Sequence, residues 1–228
     1  MVSSADYTPA PAHGSVLVKR QGARVHLLRE PSGKHVWGLV KRGRLHAANH
    51  PGRALQPINN WEAQIATTVD AGKTWKLAFS QIGQFYFNDI ECTTVDNCCV
   101  VAEAQDANAT AGTYIYCTSD GGATWVDNYR NADPDSSLIG IAAAGPSELW
   151  AIGGEEGSGG FKGPSFFHTL DGGATWAKAD APLSMLFHYA IDISCTAGNC
   201  WALLLDVLTQ ETSLASLKNG TAPWPPSA

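Results

Sequence analysis

An all-β chain folded as a β-propeller of about four four-stranded blades is what this sequence predicts, and three observations predict it. The hexapeptide Asp-Gly-Gly-Ala-Thr-Trp occurs twice, at Asp120 to Trp125 and at Asp171 to Trp176. A close relative, Asp-Ala-Gly-Lys-Thr-Trp, occupies Asp70 to Trp75, and a worn copy, Asn-Gly-Thr-Ala-Pro-Trp, occupies Asn219 to Trp224. Their starts lie 50, 51 and 48 residues apart, and a regular period of that size marks a repeat architecture. Secondly, each copy closes a strand-like run such as Thr113-Tyr-Ile-Tyr-Cys-Thr-Ser or Ser165-Phe-Phe-His-Thr-Leu. Thirdly, another element recurs upstream of each hexapeptide. Asp89-Ile-Glu-Cys-Thr-Thr-Val-Asp-Asn-Cys-Cys-Val resembles Asp192-Ile-Ser-Cys-Thr-Ala-Gly-Asn-Cys-Trp-Ala. Ala143-Ala-Gly-Pro-Ser-Glu-Leu-Trp-Ala-Ile and Arg29-Glu-Pro-Ser-Gly-Lys-His-Val-Trp-Gly fill the same slot. Each is an apolar strand, a turn, and a second apolar strand.

The blades follow in order. Blade one takes strands near 24–29, 35–41, 63–68 and 74–79, and blade two takes 87–92, 98–104, 113–118 and 124–128. Blade three takes 138–143, 148–153, 165–169 and 175–178, and blade four 189–194, 200–206 and 212–217. Trp37, Trp150 and Trp201 hold equivalent places in the second strands, where blade two has Cys99. Pro225-Pro226 makes poor strand material. A spare strand at Ser15-Val-Leu-Val-Lys is expected to pair as the outer strand of blade four and close the ring, removing an exposed edge. The organisation expected is a flexible lead-in over 1–14, a propeller over 15–224 and a tail over 225–228, alone or within a larger propeller. The lead-in has neither the charged head nor the apolar middle of a signal peptide.

The hexapeptide has a structural job. Its glycines accept positive φ in a tight hairpin. The carboxylates of Asp70, Asp120 and Asp171 accept hydrogen bonds from their own turns. Trp75, Trp125 and Trp176 bury a large ring against the blade, and Asn219 and Trp224 stand in for the pair in the last repeat. The pattern Ser/Thr-x-Asp-x-Gly-x-Thr-Trp, carried by Thr68 to Trp75, Ser119 to Trp125 and Thr169 to Trp176, resembles the Asp-box, or bacterial neuraminidase repeat. Asp-boxes occur in sialidases, sortilin-type receptors, some glycosidases and photosystem II stability/assembly factors. With Leu149-Trp-Ala-Ile-Gly-Gly, the bare Asp-Gly-Gly-Ala-Thr-Trp is most similar to the assembly-factor type, over blades two to four. That resemblance implies a thylakoid-lumen scaffold that binds a photosystem subunit and carries no cofactor. A motif of this kind speaks to fold more than to function.

The six cysteines form an even set, and the repeated Asn-Cys hairpin pairs Cys92 with Cys98 and Cys195 with Cys200. A strand hairpin centred near residue 108 places Cys99 opposite Cys117, as a third bridge. Disulfides imply an oxidising compartment. Zinc is the weaker expectation, since the pairs sit in different blades, and no metal site is expected. Such cysteine hairpins are not a regular part of the assembly-factor pattern, and they favour a secreted relative. Asn108-Ala-Thr110 and Asn219-Gly-Thr221 match the N-glycosylation acceptor pattern.

The chain is 228 residues long and 44% apolar, enough for a full core. No run approaches the ~18 apolar residues of a membrane-spanning helix. The net charge of −6 hides an asymmetry. Residues 1–80 hold 11 Lys/Arg against 4 Asp/Glu, and residues 81–228 hold 4 against 17. The basic stripe from Lys19 to Arg53 attracts anionic partners or offsets the acidic blades. With no recognised module and an acidic whole, nucleic acid is not an expected partner.

Antiparallel order puts the cysteine hairpins and hexapeptides on one face of the ring and the irregular loops on the other. Function usually lives on such loops. The candidates for a binding face are therefore Arg42, Arg44, His46 and Arg53 of the basic loop, with Tyr86, Asn88, Asp89, Tyr129, Arg130, His188 and Tyr189 where one blade hands over to the next. Sialidase chemistry needs an arginine trio drawn from several blades, yet Arg130 is the one arginine beyond residue 53. Glu155 and Glu156, adjacent in a Gly-rich loop, are the nearest approach to paired glycosidase acids. His168 precedes its hexapeptide as a strand residue. No nucleophile elbow, phosphate loop or dinucleotide fingerprint is present, so neither a catalytic residue nor a cofactor is expected. The expected function is a non-catalytic interaction scaffold for a protein, such as a membrane-complex subunit. A secreted propeller that binds or cleaves carbohydrate is the alternative.

Overall fold

The computed structural model describes residues 16–20, 23–29, 36–42, 62–70, 73–82, 85–104, 112–133, 135–157, 160–179, 181, 183–196 and 198–218. The chain divides into two compact units, Met1–Phe87 and Asn88–Ala228. Among the described residues, sixteen strands form four separate antiparallel sheets, with a short 3₁₀ turn at Leu183–Met185.

The first sheet runs β1 (Val16–Arg20), β2 (Ala23–Arg29), β3 (Val36–Arg42), β4 (Glu62–Thr68) and β5 (Lys76–Ile82), each strand beside the next. Ala63 and Ile65 are fully buried, and Phe79, Phe85 and Phe87 pack ring to ring at 5.5–6.5 Å. The spare strand departs from expectation. β1 pairs with β2, Val16 opposite Leu27 and Arg20 opposite Ala23, so sheet one has five strands and blade four gains none. Only Gln21-Gly22 separates the two strands, and a two-residue link with glycine favours a local hairpin over distant pairing.

The second sheet is β6 (Tyr86–Cys92), β7 (Cys98–Ala104), β8 (Gly112–Thr118) and β9 (Val126–Asn131). The third is β10 (Ser136–Ala143), β11 (Leu149–Gly157), β12 (Gly160–Thr169) and β13 (Ala177–Ala179). The fourth has three strands, β14 (His188–Thr196), β15 (Asn199–Asp206) and β16 (Thr212–Lys218). These are the expected blade strands to within a few residues. The worn repeat at 219–224, the acceptor Asn108, and the lead-in and tail lie outside the described residues.

Residue period explains the layering. β15 alternates, with Cys200, Ala202 and Leu204 buried between more exposed neighbours, so one face of sheet four meets sheet three. There they join Trp150, Ile152, Phe166 and Met185. β7 is buried at every position, which requires cover on both faces. One of its faces, with Cys99 and Val101, packs with Ile115 against Leu138, Leu149, Ala151 and Phe167 of sheet three.

All three expected disulfides are formed: Cys92–Cys98, Cys99–Cys117 and Cys195–Cys200. Cys99 and Cys117 are register partners on β7 and β8, and Cys195 and Cys200 on β14 and β15. No free cysteine remains, and the three bridges point to an oxidising compartment. No helix among the described residues is long and apolar enough to cross a membrane.

The Asp turns repeat atom for atom. Asp120 Oδ1 accepts from Thr118 Oγ1 (2.8 Å) and Thr124 N (2.9 Å), while Oδ2 accepts from Thr124 Oγ1 (2.6 Å). Asp70 and Asp171 make the same three bonds with Thr68 and Thr74, and with Thr169 and Thr175. The buried anchor is the threonine two residues before the aspartate, so in the second sheet it is Thr118 and not Ser119. Thr118 Oγ1 also accepts from Gly122 N, and Thr169 Oγ1 from Gly173 N. These bonds, led by the one from the second threonine's hydroxyl, hold each carboxyl down at about 2. The folded value is depressed, so the stabilisation is present above the ordinary carboxylate range and is lost as pH falls through it toward 2. A melting temperature that drops over that acid interval is expected. At neutral pH, Thr169→Val should cost about 1–3 kcal/mol by leaving buried groups unpaired, measured by urea unfolding. An unchanged midpoint would show that the turn does not depend on its anchor.

Candidate functional site

The two ends of the second unit's sheets differ in kind. At one end the Asp turns rest on the first hairpin of their own sheet. Gly121 N donates to Asp96 O (3.1 Å), and Gly172 N to Ser147 O (2.8 Å). The Cys99–Cys117 bridge sits beneath Gly172 and Gly173, whose φ values of +72° and +96° favour glycine. Trp176 Nε1 closes the turn by donating to Gly173 O (3.1 Å). The groups named here bond within their own scaffold.

At the other end lies a cavity of about 260 Å³, lined by Glu155, Lys162 and Lys178 with Gly163, Pro164, Ala181 and Leu186. Three segments make it: the β11–β12 hairpin, β13, and the connection from β13 to β14. The connection is pinned from inside. Met185 of the 3₁₀ turn is fully buried in the core between sheets three and four, and Val207 N donates to Phe187 O (2.8 Å). Gly163 holds a φ of +123°, a backbone conformation that favours glycine, and faces the Met185–Leu186 backbone at ordinary contact distance. With Met185 turned inward, the next two residues face water: Leu186 is 43% exposed and Phe187 50%.

Charged side chains line the cavity beside Leu186. Lys178 Nζ bonds Glu155 Oε1 at 2.5 Å, and Lys162 Nζ meets Asp133 Oδ2 at 3.4 Å. Asp133 titrates below its ordinary value, first because the Asp135 N–H donates to it and then because Lys162 lies near. Tyr129 is half-buried with its ring 4.7 Å from that of Phe167, and burial, followed by the Glu155 charge, pushes its hydroxyl up. A cavity edged by paired charges beside projecting apolar side chains suits a partner with both apolar and polar groups.

The residues singled out from sequence fall in several places. His188 and Tyr189 begin β14, and the Tyr189 ring lies against Gly154, where a Cβ would come within 2.4 Å of it. His188 faces Asp206 in register. Arg130 is exposed on β9, its guanidinium 5.2 Å from the centre of the Tyr114 ring. Asn88 Nδ2 donates to Leu138 O (2.8 Å), and Asp89 Oδ2 accepts from Ile141 N (3.0 Å), so both tie sheet two to β10. Tyr86 is only 4% exposed and so lies off the surface. Arg42 ends β3, while Arg44, His46 and Arg53 lie outside the described residues. Glu155 is paired with Lys178, and His168 is a strand residue that meets Glu148 (3.2 Å) and packs on Trp150. Leu186 and Phe187 are not among the sequence candidates. Their signal is two adjacent bulky apolar residues inside a loop.

No protein-family model and no curated protein matches the chain. Solved structures do. One, described as YCF48 bound to a D1 peptide, is 15% identical with a TM-score of 0.53, over 99% of this chain and 59% of that one. A putative exo-β-1,3-galactanase from Bifidobacterium bifidum is 10% identical with a TM-score of 0.49, over 90% and 72% of the two chains. An oligogalacturonate lyase from Vibrio parahaemolyticus is 7% identical with a TM-score of 0.49, over 90% and 56%. At such identities the likeness speaks to fold alone, and the fold is that of a β-propeller. This chain spans 59% of the YCF48 chain's length.

Proposed function

We propose that this chain is a non-catalytic scaffold that binds a protein segment on the loop end of its second unit. The observation that carries this is the Leu186–Phe187 pair, held outward by buried Met185 beside the Glu155–Lys178 and Lys162–Asp133 pairs. Exposed aromatic side chains ringed by polar groups are the usual anchors of protein interfaces. A structural neighbour with a TM-score of 0.53 is described with a bound peptide, which supports a protein partner. We extend this to a photosystem-associated factor of the thylakoid lumen, an oxidising setting that suits three disulfides. The basic segment through Arg42, Arg44, His46 and Arg53 would speed encounter with an anionic partner.

The test is an overlapping-peptide array that includes D1 sequences, run beside a glycan array. Peptide binding is expected, weakened roughly thirtyfold or more by Phe187→Ser, as for the loss of an interface anchor worth about 2 kcal/mol. Lys162→Glu should weaken it less, because exposed charges contribute little. Glycan binding without peptide binding would overturn the proposal in favour of a secreted carbohydrate-binding propeller.

A further inference from the structure

Sheet four repeats, position for position, the face that sheets two and three bury against a neighbouring sheet. In sheet three the face is Trp150, Ile152 and Phe166, with Ile152 opposite Phe166, and all three are fully buried against sheet four. In sheet two it is Cys99, Val101 and Ile115, with Val101 opposite Ile115, and all are buried against sheet three. In sheet one the corresponding register positions are Trp37, Leu39 and Ile65, with Leu39 opposite Ile65, and Ile65 is fully buried. In sheet four they are Trp201, Leu203 and Leu214, with Leu203 opposite Leu214. Here Trp201 and Leu214 are each 48% exposed. Trp201 and Leu214 are diagonal neighbours across β15 and β16, so with Leu203 they form a continuous apolar patch. Contiguous patches of this kind mark interaction surfaces.

We propose that this face docks the first sheet of a second copy of the chain, in the way sheet four docks on sheet three. Two features favour that occupant. The surface that meets Trp150 includes the small register pair Ala202 and Ala215, and sheet one has a small pair, Gly38 and Ala66, at the same register place. The charges also complement one another. Residues 88–228 hold 17 acidic against 4 basic residues, while residues 1–87 hold 11 basic against 4 acidic. Head-to-tail contact therefore sets a basic unit against an acidic one, which favours that orientation over self-apposition of acidic faces. Two copies supply eight sheets, within the range of roughly four to eight that propellers use.

Sedimentation equilibrium of the full chain tests this. A dimer is expected for the wild type, with its dissociation constant raised roughly thirtyfold or more by Trp201→Glu, and similarly by Leu214→Glu. The dimer should also weaken as salt is added. A wild type that stays monomeric at every soluble concentration would overturn the proposal, and a monomer with slow amide exchange at 201–205 would assign the face to the chain's own first sheet. A dimer unaffected by both variants would overturn it as well. Should either variant fail to fold, amide exchange of the wild type decides. Protection at 201–205 and 212–216 that rises with concentration supports the second copy, and concentration-independent exchange refutes it.

Discussion

Gly153→Ala should be among the most damaging single substitutions in this chain, at about 3 kcal/mol or more. A Cβ at residue 153 would stand 1.9 Å from Ser137 O and 2.9 Å from Leu138 Cα, backbone atoms of the neighbouring strand. No rotamer relieves a clash between a Cβ and backbone, so β10 and β11 must separate. They pair Leu138 with Gly153 where the register shifts between Leu138 and Gly140, and Leu138 is a fully buried core residue. The Gly-rich stretch at 153–154 thus has a packing reason: Gly153 admits a strand and Gly154 admits the Tyr189 ring. Urea unfolding should place the variant far below wild type. A change under about 1 kcal/mol would mean that β10 shifts freely.

Replacing Cys99 and Cys117 together by alanine should cost about 3 kcal/mol, the stabilisation typical of a bridge closing a loop of this size. A second effect adds to the first. The two sulfurs form the seat for Gly173, where a Cβ would lie 2.3 Å and 2.6 Å from them, so their loss empties a contact between sheets two and three. Thermal unfolding without reductant should show the double variant melting well below the oxidised wild type. Equal melting of the variant and the oxidised wild type would contradict this.

Much of the fold was legible because its signals are local. Strand β7 at Cys98–Ala104 falls where the repeat put it, and Cys99 opposite Cys117 follows from hairpin symmetry alone. The Asp turns were legible for the same reason. What sequence could not supply is the identity of non-local partners. Asn88 and Asp89 are polar residues at the start of an inner strand, a pattern that suits a surface as well as a staple. Only the backbone of β10, 50 and 52 residues away, shows which atoms they meet. Likewise β1 had two edges open to it, and the short link to β2 decided between them. The cavity depends on β13 and the 181–187 connection approaching the β11–β12 hairpin, a closeness that no single segment encodes.

The claim that matters most is that partners bind the loop end and leave the Asp-turn end free. Amide exchange with and without a peptide selected from the array measures it directly. Slowed exchange should appear at 160–164 and 181–187, around the cavity and the exposed Leu186–Phe187 pair. Slowing confined to 120–124 and 171–175, at the Asp turns, would place binding at the opposite end and contradict the proposed site.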